Sequence, residues 1–415
     1  MKALFSEIRF RRFDYAAFSG MFVYACCAVM LPITLVNMAG ELDFPLDKGG
    51  MAAGGALTLS VRCAAVAVML ICGRIAGSFG KRIPLGLAMA VMGAGTLLAA
   101  CSRNYLQMFL CLFVVGIGEG GAEGLLTPFM DDLHRKEEGV YMNFLHAFWP
   151  LGIVICVLGG GALIHGGVSW RAVFLCCGLM ALFSSALFLW KQKQGGGLRE
   201  EISGSRTADI LRHTAEICRS GMFWRFFAAL FVIGGSEACL TYWIASYAQL
   251  HFHGTAWNGG IATAMLALGM LAGRYACGFI AKRSRLYSML LWAGLLTLIS
   301  SLLVPFTRSL NELYAATALA GFSIATIWPT LQVCCVVRLP KLDSTLLYVY
   351  LSCSGIPGAG IAVLLMGMAG DRIGMERSFY LVPVLTGIFL AILLPEALFR
   401  RLFRRRELSA HTFSN

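Results

Sequence analysis

The chain has 415 residues, of which 58% are hydrophobic and only 13% charged, and its formal net charge is +12. A water-soluble domain carries roughly 25% charged residues to solvate its surface, so this composition excludes a soluble globular protein and demands contact with lipid. The cation excess would suit nucleic acid, but the cations sit in short clusters between apolar runs, which speaks against such a partner.

A helix needs about 20 apolar residues to cross the ~30 Å hydrocarbon core. Runs of that kind are predicted near 15–38, 50–72, 83–101, 106–130, 140–164, 170–190, 223–248, 258–281, 286–306, 311–338, 345–369 and 378–396. We refer to these twelve as spans one to twelve. They are continuous, whereas strands of a membrane barrel alternate over about ten residues. The expected fold class is therefore an all-α integral membrane protein. The basic start, Met1 to Arg12, precedes an apolar run too long for a cleavable signal, so that run should remain as span one.

Spans one to six end near Trp190, and a polar stretch beginning KQKQGGGLRE follows. The expected organisation is a first six-helix bundle at 1–190, a central loop at 191–222, a second bundle at 223–399 and a basic tail at 400–415. Six plus six with a basic connector is the plan of transporters built from two similar halves. Most of the 34 Lys and Arg fall on one set of alternate loops and tails, with few on the opposite set and few within spans. This bias places both termini and the central loop in the cytoplasm of a cell whose inner (plasma) membrane holds the chain. The tail RRLFRRR suits anionic headgroups of membrane lipids, or serves only as a topology signal.

Fifteen cysteines lie mostly inside spans, with no CxxC or Cys/His metal spacing. They read as small packing residues, with no metal and no cofactor expected. No P-loop or catalytic-triad signature is present, so the chain does not read as an enzyme or an ATP-driven pump.

The halves echo each other. Cys72-Gly73-Arg74-Ile75-Ala76 after span two returns as Cys277-Gly278-Phe279-Ile280-Ala281 after span eight, 205 residues later, and cations follow both. The stretch GRIAGSFGKR, Gly73 to Arg82, resembles the conserved loop of the major facilitator superfamily, with Gly77 where that pattern holds an Asp. Finer features resemble its fucose–galactose–hexose symporter branch, related to fucose permease. Span four has Glu123 with Thr127-Pro128-Phe129. Span five has Asn143, His146 and Phe148. Span seven has Gly234-Gly235-Ser236-Glu237, and span ten runs from Gly321 to Trp328-Pro329-Thr330. The branch's carboxylate in the first span falls here at Ala28. The resemblance implies two pseudo-symmetric six-helix bundles, the major facilitator fold, and proton-coupled sugar uptake with Glu123 as the coupling position.

Ionisable residues inside spans are costly and mark function by default. Glu119 and Glu123 are i,i+4 and share one helix face about 6 Å apart. Burial and mutual repulsion favour their neutral forms, which suits proton coupling. Either could instead pair with Arg62, which reads as a charge partner for them or as a ligand for an anionic solute. Glu237, Asn143, His146, Trp328 and Gln332 are candidate solute-binding groups. Rings beside amides and carboxyls suit a sugar, while each of these residues could also serve only helix packing. The partners expected are a small solute, a proton and lipid, with the protein a monomer. Rival readings are a carrier of another solute, such as an organic anion or an export substrate, or a transport-dead sensor.

The topology is testable. Single cysteines at Ser205 and Ser409, in a background lacking the native cysteines, are expected to resist an impermeant thiol reagent applied from outside the cell. Labelling of either site from outside contradicts the orientation.

Overall fold

The computed structural model describes residues 10–134, 140–190, 207–280 and 285–395. The early cations at 1–9, most of the central loop and the basic tail lie outside the described residues. Among the described residues, twelve helices are long and apolar enough to cross a membrane: Arg12–Glu41, Met51–Cys72, Arg82–Ala100, Tyr105–Leu133, Phe144–His165, Arg171–Leu189, Gly221–Leu250, Ala256–Cys277, Leu286–Phe306, Leu310–Arg338, Leu346–Ile373 and Met375–Pro395. They are the predicted spans one to twelve, and they form two pseudo-symmetric six-helix bundles.

Lipid contact sorts the spans into an outer and an inner set. Exposed apolar side chains stud span three (Leu87, Leu98), span six (Leu175, Leu179, Phe183), span nine (Trp292, Ile299) and span twelve (Val384, Ile388). Water would make that surface untenable, whereas hydrocarbon accepts it. Span one is buried on nearly every side. Across the middle, span two packs on span eleven and span five on span eight, while span one also meets span seven. The second and fifth spans of one half thus meet the fifth and second of the other, as a two-fold relation requires.

Two local features depart from the sequence reading. The connector, expected as a polar loop, contains the helix Thr207–Cys218. Ile217 on it is fully buried, and the Thr214 hydroxyl lies 2.6 Å from that of Tyr350 in span eleven. Span ten is two helices, Leu310–Ile324 and Ile327–Arg338. Pro329 explains the break: it has no N–H for the carbonyl of Ala325, and its ring crowds that carbonyl.

With twelve spans, Arg12 and Pro395 lie on one face, and the opposite face can be called distal. Both cross-interface pairs are tightest distally. A Cβ on Gly55 would lie 2.7 Å from Leu364 Cα, and one on Gly260 2.4 Å from the carbonyl oxygen of Val157, so only glycine permits these approaches. Asp371, at the end of span eleven, accepts hydrogen bonds from the Met51 and Ala52 amides at 2.9 and 2.8 Å. A carboxylate of one half thereby caps the N-terminus of a helix in the other, where the helix dipole favours it. The Tyr242 hydroxyl of span seven donates to the Gly54 carbonyl at 2.5 Å. The distal face is closed.

Asp371→Ala removes a solvent-exposed cap worth about 1 kcal/mol. Spin labels at Lys48 and Arg372 should then show a long-distance population raised about fivefold. An unchanged distance distribution means that Asp371 does not latch this face.

Candidate solute and proton site

Span four carries the sequence Gly116-Ile117-Gly118-Glu119-Gly120, and its glycines place the acid. A Cβ on Gly116 or on Gly120 would come within 2.3 Å of the carbonyl oxygens of Val61 and Ala65 respectively. Spans two and four therefore touch backbone to backbone on both sides of Arg62. The Arg62 Nη1 donates to Glu119 Oε2 at 3.1 Å, and Glu119 is only 2% exposed. A lone charge at this depth would cost ~2.5–3.5 kcal/mol or more, and the pair removes most of that cost. Of the two roles open to Arg62, charge partner and anion ligand, the geometry displays the first.

Glu123 lies one turn further from the distal face on the same side of span four. It is partly buried and has no ion pair within 4.0 Å among the described residues. Its electrostatic neighbours are Arg62 and the Tyr24 hydroxyl of span one. The Tyr24 ring packs edge-on against Trp149 of span five, with centroids 4.7 Å apart. One carboxyl of the i,i+4 pair is thus committed to a cation, and the other is left beside a phenol.

The second half supplies a second polar cluster. Pro329 frees the Ala325 carbonyl, and Arg274 Nε of span eight donates to it at 3.5 Å. Arg274 is the charged neighbour of both Glu237 and His146. His146 is exposed, yet it does not face lipid. The lipid-facing Leu151 and Ile155 follow it by five and nine residues, which at 3.6 residues per turn puts them on the opposite side of span five. His146 therefore faces the central space between the halves. Gln332 Nε2 donates to the Ser352 hydroxyl at 3.1 Å. Trp328 is partly buried, and its ring fills a notch: a Cβ on Gly355 would lie 2.1 Å from it and one on Gly234 2.9 Å. It also packs on Ala65, Met69 and Ile356, where spans two and eleven cross. The side chain of Asn143 lies outside the described residues. No group of three or more metal-ligating side chains is found among the described residues.

The structure adds Tyr24 to the candidate residues and gives Arg274, an ionisable residue of span eight, its neighbours. Arg274 carries a signal in the sequence, an ionisable group within a span, whereas a tyrosine in span one carries none.

Comparison with known proteins gives a consistent picture. The Major Facilitator Superfamily profile matches residues 17–359. Among curated relatives, the Acurin A biosynthesis cluster MFS-type transporter of Aspergillus aculeatus is 28% identical over 120 residues, which is 29% of this chain and 21% of the relative. The vacuolar membrane amino acid uptake transporter of Schizosaccharomyces pombe is 29% identical over 106 residues, 25% of this chain and 18% of the relative. The probable sulfoacetate transporter of Cupriavidus necator is 24% identical over 196 residues, 44% of this chain and 45% of the relative. The chain thus spans less than half the length of each of these relatives.

The ion pair makes a stability prediction. Arg62→Met leaves a buried carboxyl without its cation, a loss of about 3–5 kcal/mol when the carboxyl stays charged. In detergent, Arg62→Met should lower the thermal midpoint more than the double variant Arg62→Met, Glu119→Gln. Equal midpoints would show that the two residues are not energetically coupled.

Proposed function

The chain belongs to the Major Facilitator Superfamily, and from that premise we propose that it is a proton-coupled transporter of a small polar solute, most simply a sugar. The observation that carries this reading is the unequal fate of the two span-four carboxyls. Arg62 holds Glu119 at 3.1 Å, while Glu123 is left beside Tyr24 and free to exchange a proton. The two bundles, divided by the connector at 191–222, would rock about the centre and expose it to each side in turn. With both termini cytoplasmic, as the Lys/Arg bias implies, the closed distal face is the outer one. That closure suits the inward-facing stage of such a cycle, in an inner membrane.

A sugar is favoured by the candidate groups themselves: Glu237, His146, Gln332 with Ser352, and Trp328. These are acceptors, donors and an apolar ring, the complement of a polyhydroxylated solute. The likeness of spans four, five, seven and ten to the fucose permease branch points the same way. A second reading has its own support. Arg274 makes no ion pair within 4.0 Å among the described residues and sits beside the centre, and one relative is named for sulfoacetate. Under that reading Arg274 holds the anionic group of a carboxylate or sulfonate.

Uptake into proteoliposomes of labelled monosaccharides, carboxylates and sulfonates, with and without an imposed pH gradient, separates the readings. Accumulation of a monosaccharide that requires the gradient is expected. In the same vesicles Glu123→Gln, which mimics the protonated acid, should keep counterflow but lose gradient-driven accumulation, and Glu123→Ala should lose both. Concentration of solute by Glu123→Gln would remove Glu123 from the coupling role.

A further inference from the structure

We propose that a small chamber on the distal side of the Arg62–Glu119 pair binds water and carries the coupling proton between the distal face and Glu119. The inference rests on the proton-coupled reading above and adds to it a route and two further residues, Thr58 and Tyr242.

The chamber has a volume of about 30 Å³ and is lined by Cys27, Thr58, Arg62, Glu119 and Tyr242 among apolar side chains of spans one, two and four. A solute pocket needs roughly 300 Å³ or more, so no solute fits. One water needs about 10–15 Å³ and two to four polar partners, so one or two waters fit. The partners are present. Arg62 Nε and Thr58 Oγ1 are buried and neither makes a well-formed hydrogen bond among the described residues, the Tyr242 hydroxyl being the polar neighbour of Thr58, and Thr58 is 7% exposed. A buried donor and a poorly bonded hydroxyl on the wall of one chamber are expensive unless something satisfies them. The Arg62 cation opposes a metal ion there and the Glu119 carboxylate opposes an anion. Water, which both donates and accepts, suits both.

The position of the chamber gives it a direction. Tyr242 belongs to the second half and closes the chamber by donating to the Gly54 carbonyl of span two at 2.5 Å. Its oxygen lone pairs remain available to Thr58 and to water. When the distal face opens, spans two and seven part and that bond is lost, so the chamber meets the outside. A water O–H then gives its proton to the Glu119 carboxylate, and the hydroxide left behind is reprotonated along the water chain from outside, so the net change is one proton gained by Glu119. Neutral Glu119 releases part of its hold on Arg62, and the proton passes to Glu123 one turn nearer the termini. Glu119 loads on the distal side and Glu123 unloads on the other. While Tyr242 is bonded to Gly54 the two ends are never open together.

Three measurements test the proposal. The ratio of gradient-driven uptake to counterflow should fall about tenfold or more in Thr58→Val, and Thr58→Ser, which keeps the hydroxyl, should restore it. Tyr242→Phe, which loses the bond to Gly54, should speed solute-free collapse of a pH gradient in vesicles. A structure at water-resolving resolution should show density between Arg62 Nε and Thr58 Oγ1. A dry chamber overturns the proposal, as does an unchanged ratio in Thr58→Val or an equal loss in Thr58→Ser. Wild-type protein that accumulates no solute under a pH gradient, with density in the chamber, instead overturns the coupling reading on which the chamber's role depends.

Discussion

A charge in the hydrocarbon core must find an opposite charge, a proton or water, and the inner helices of this protein are arranged around that constraint. Span four brings two carboxyls to one face, and span two brings one cation to meet them. One cation cannot satisfy two acids equally. Arg62 pairs with Glu119 at 3.1 Å, and Glu123 is left without an ion pair among the described residues. The glycines at 116 and 120 matter because they let spans two and four approach backbone to backbone on both sides of Arg62. Function here begins as a packing problem.

The same constraint links chemistry to motion. Across the interface, Gly55, Gly161, Gly260 and Gly367 bring the backbones of the two halves into close approach. Such surfaces separate without repacking a core, which suits halves that move as rigid bodies. Beside that packing, the Asp371 cap and the Tyr242 hydroxyl make polar contacts between the halves at the distal face. With Gly77 in place of the acid of the conserved loop, the opposite face lacks the family's usual carboxylate at that position.

The spans were legible because lipid demands long apolar runs, and such runs are hard to mistake. Their ends were less so. Span four continues to Leu133, through Asp131 and Asp132, because a helix may carry polar residues once it has left the hydrocarbon. The helix at Thr207–Cys218 escaped notice because only part of its surface is buried, and a twelve-residue amphipathic segment has little hydrophobic signal. The break in span ten was written in Pro329 but needs the structure to show its use, a carbonyl released to Arg274. At the site, ionisable residues announced themselves by their cost in a membrane, so Arg62, Glu119, Glu123 and Glu237 were visible. Tyr24, Thr58 and Tyr242 were not. A hydroxyl in a span is cheap, and only its position beside a buried charge gives it meaning.

The central claim is that Glu123 exchanges a proton when solute binds, and a direct measurement does not require transport. Detergent-solubilised protein in unbuffered solution with a pH indicator is mixed with the solute identified by uptake. Wild-type protein should take up protons on binding, in proportion to the sites filled, and Glu123→Gln should bind the same solute with no pH change. Equal proton uptake by both proteins would contradict the claim and place the coupling group elsewhere.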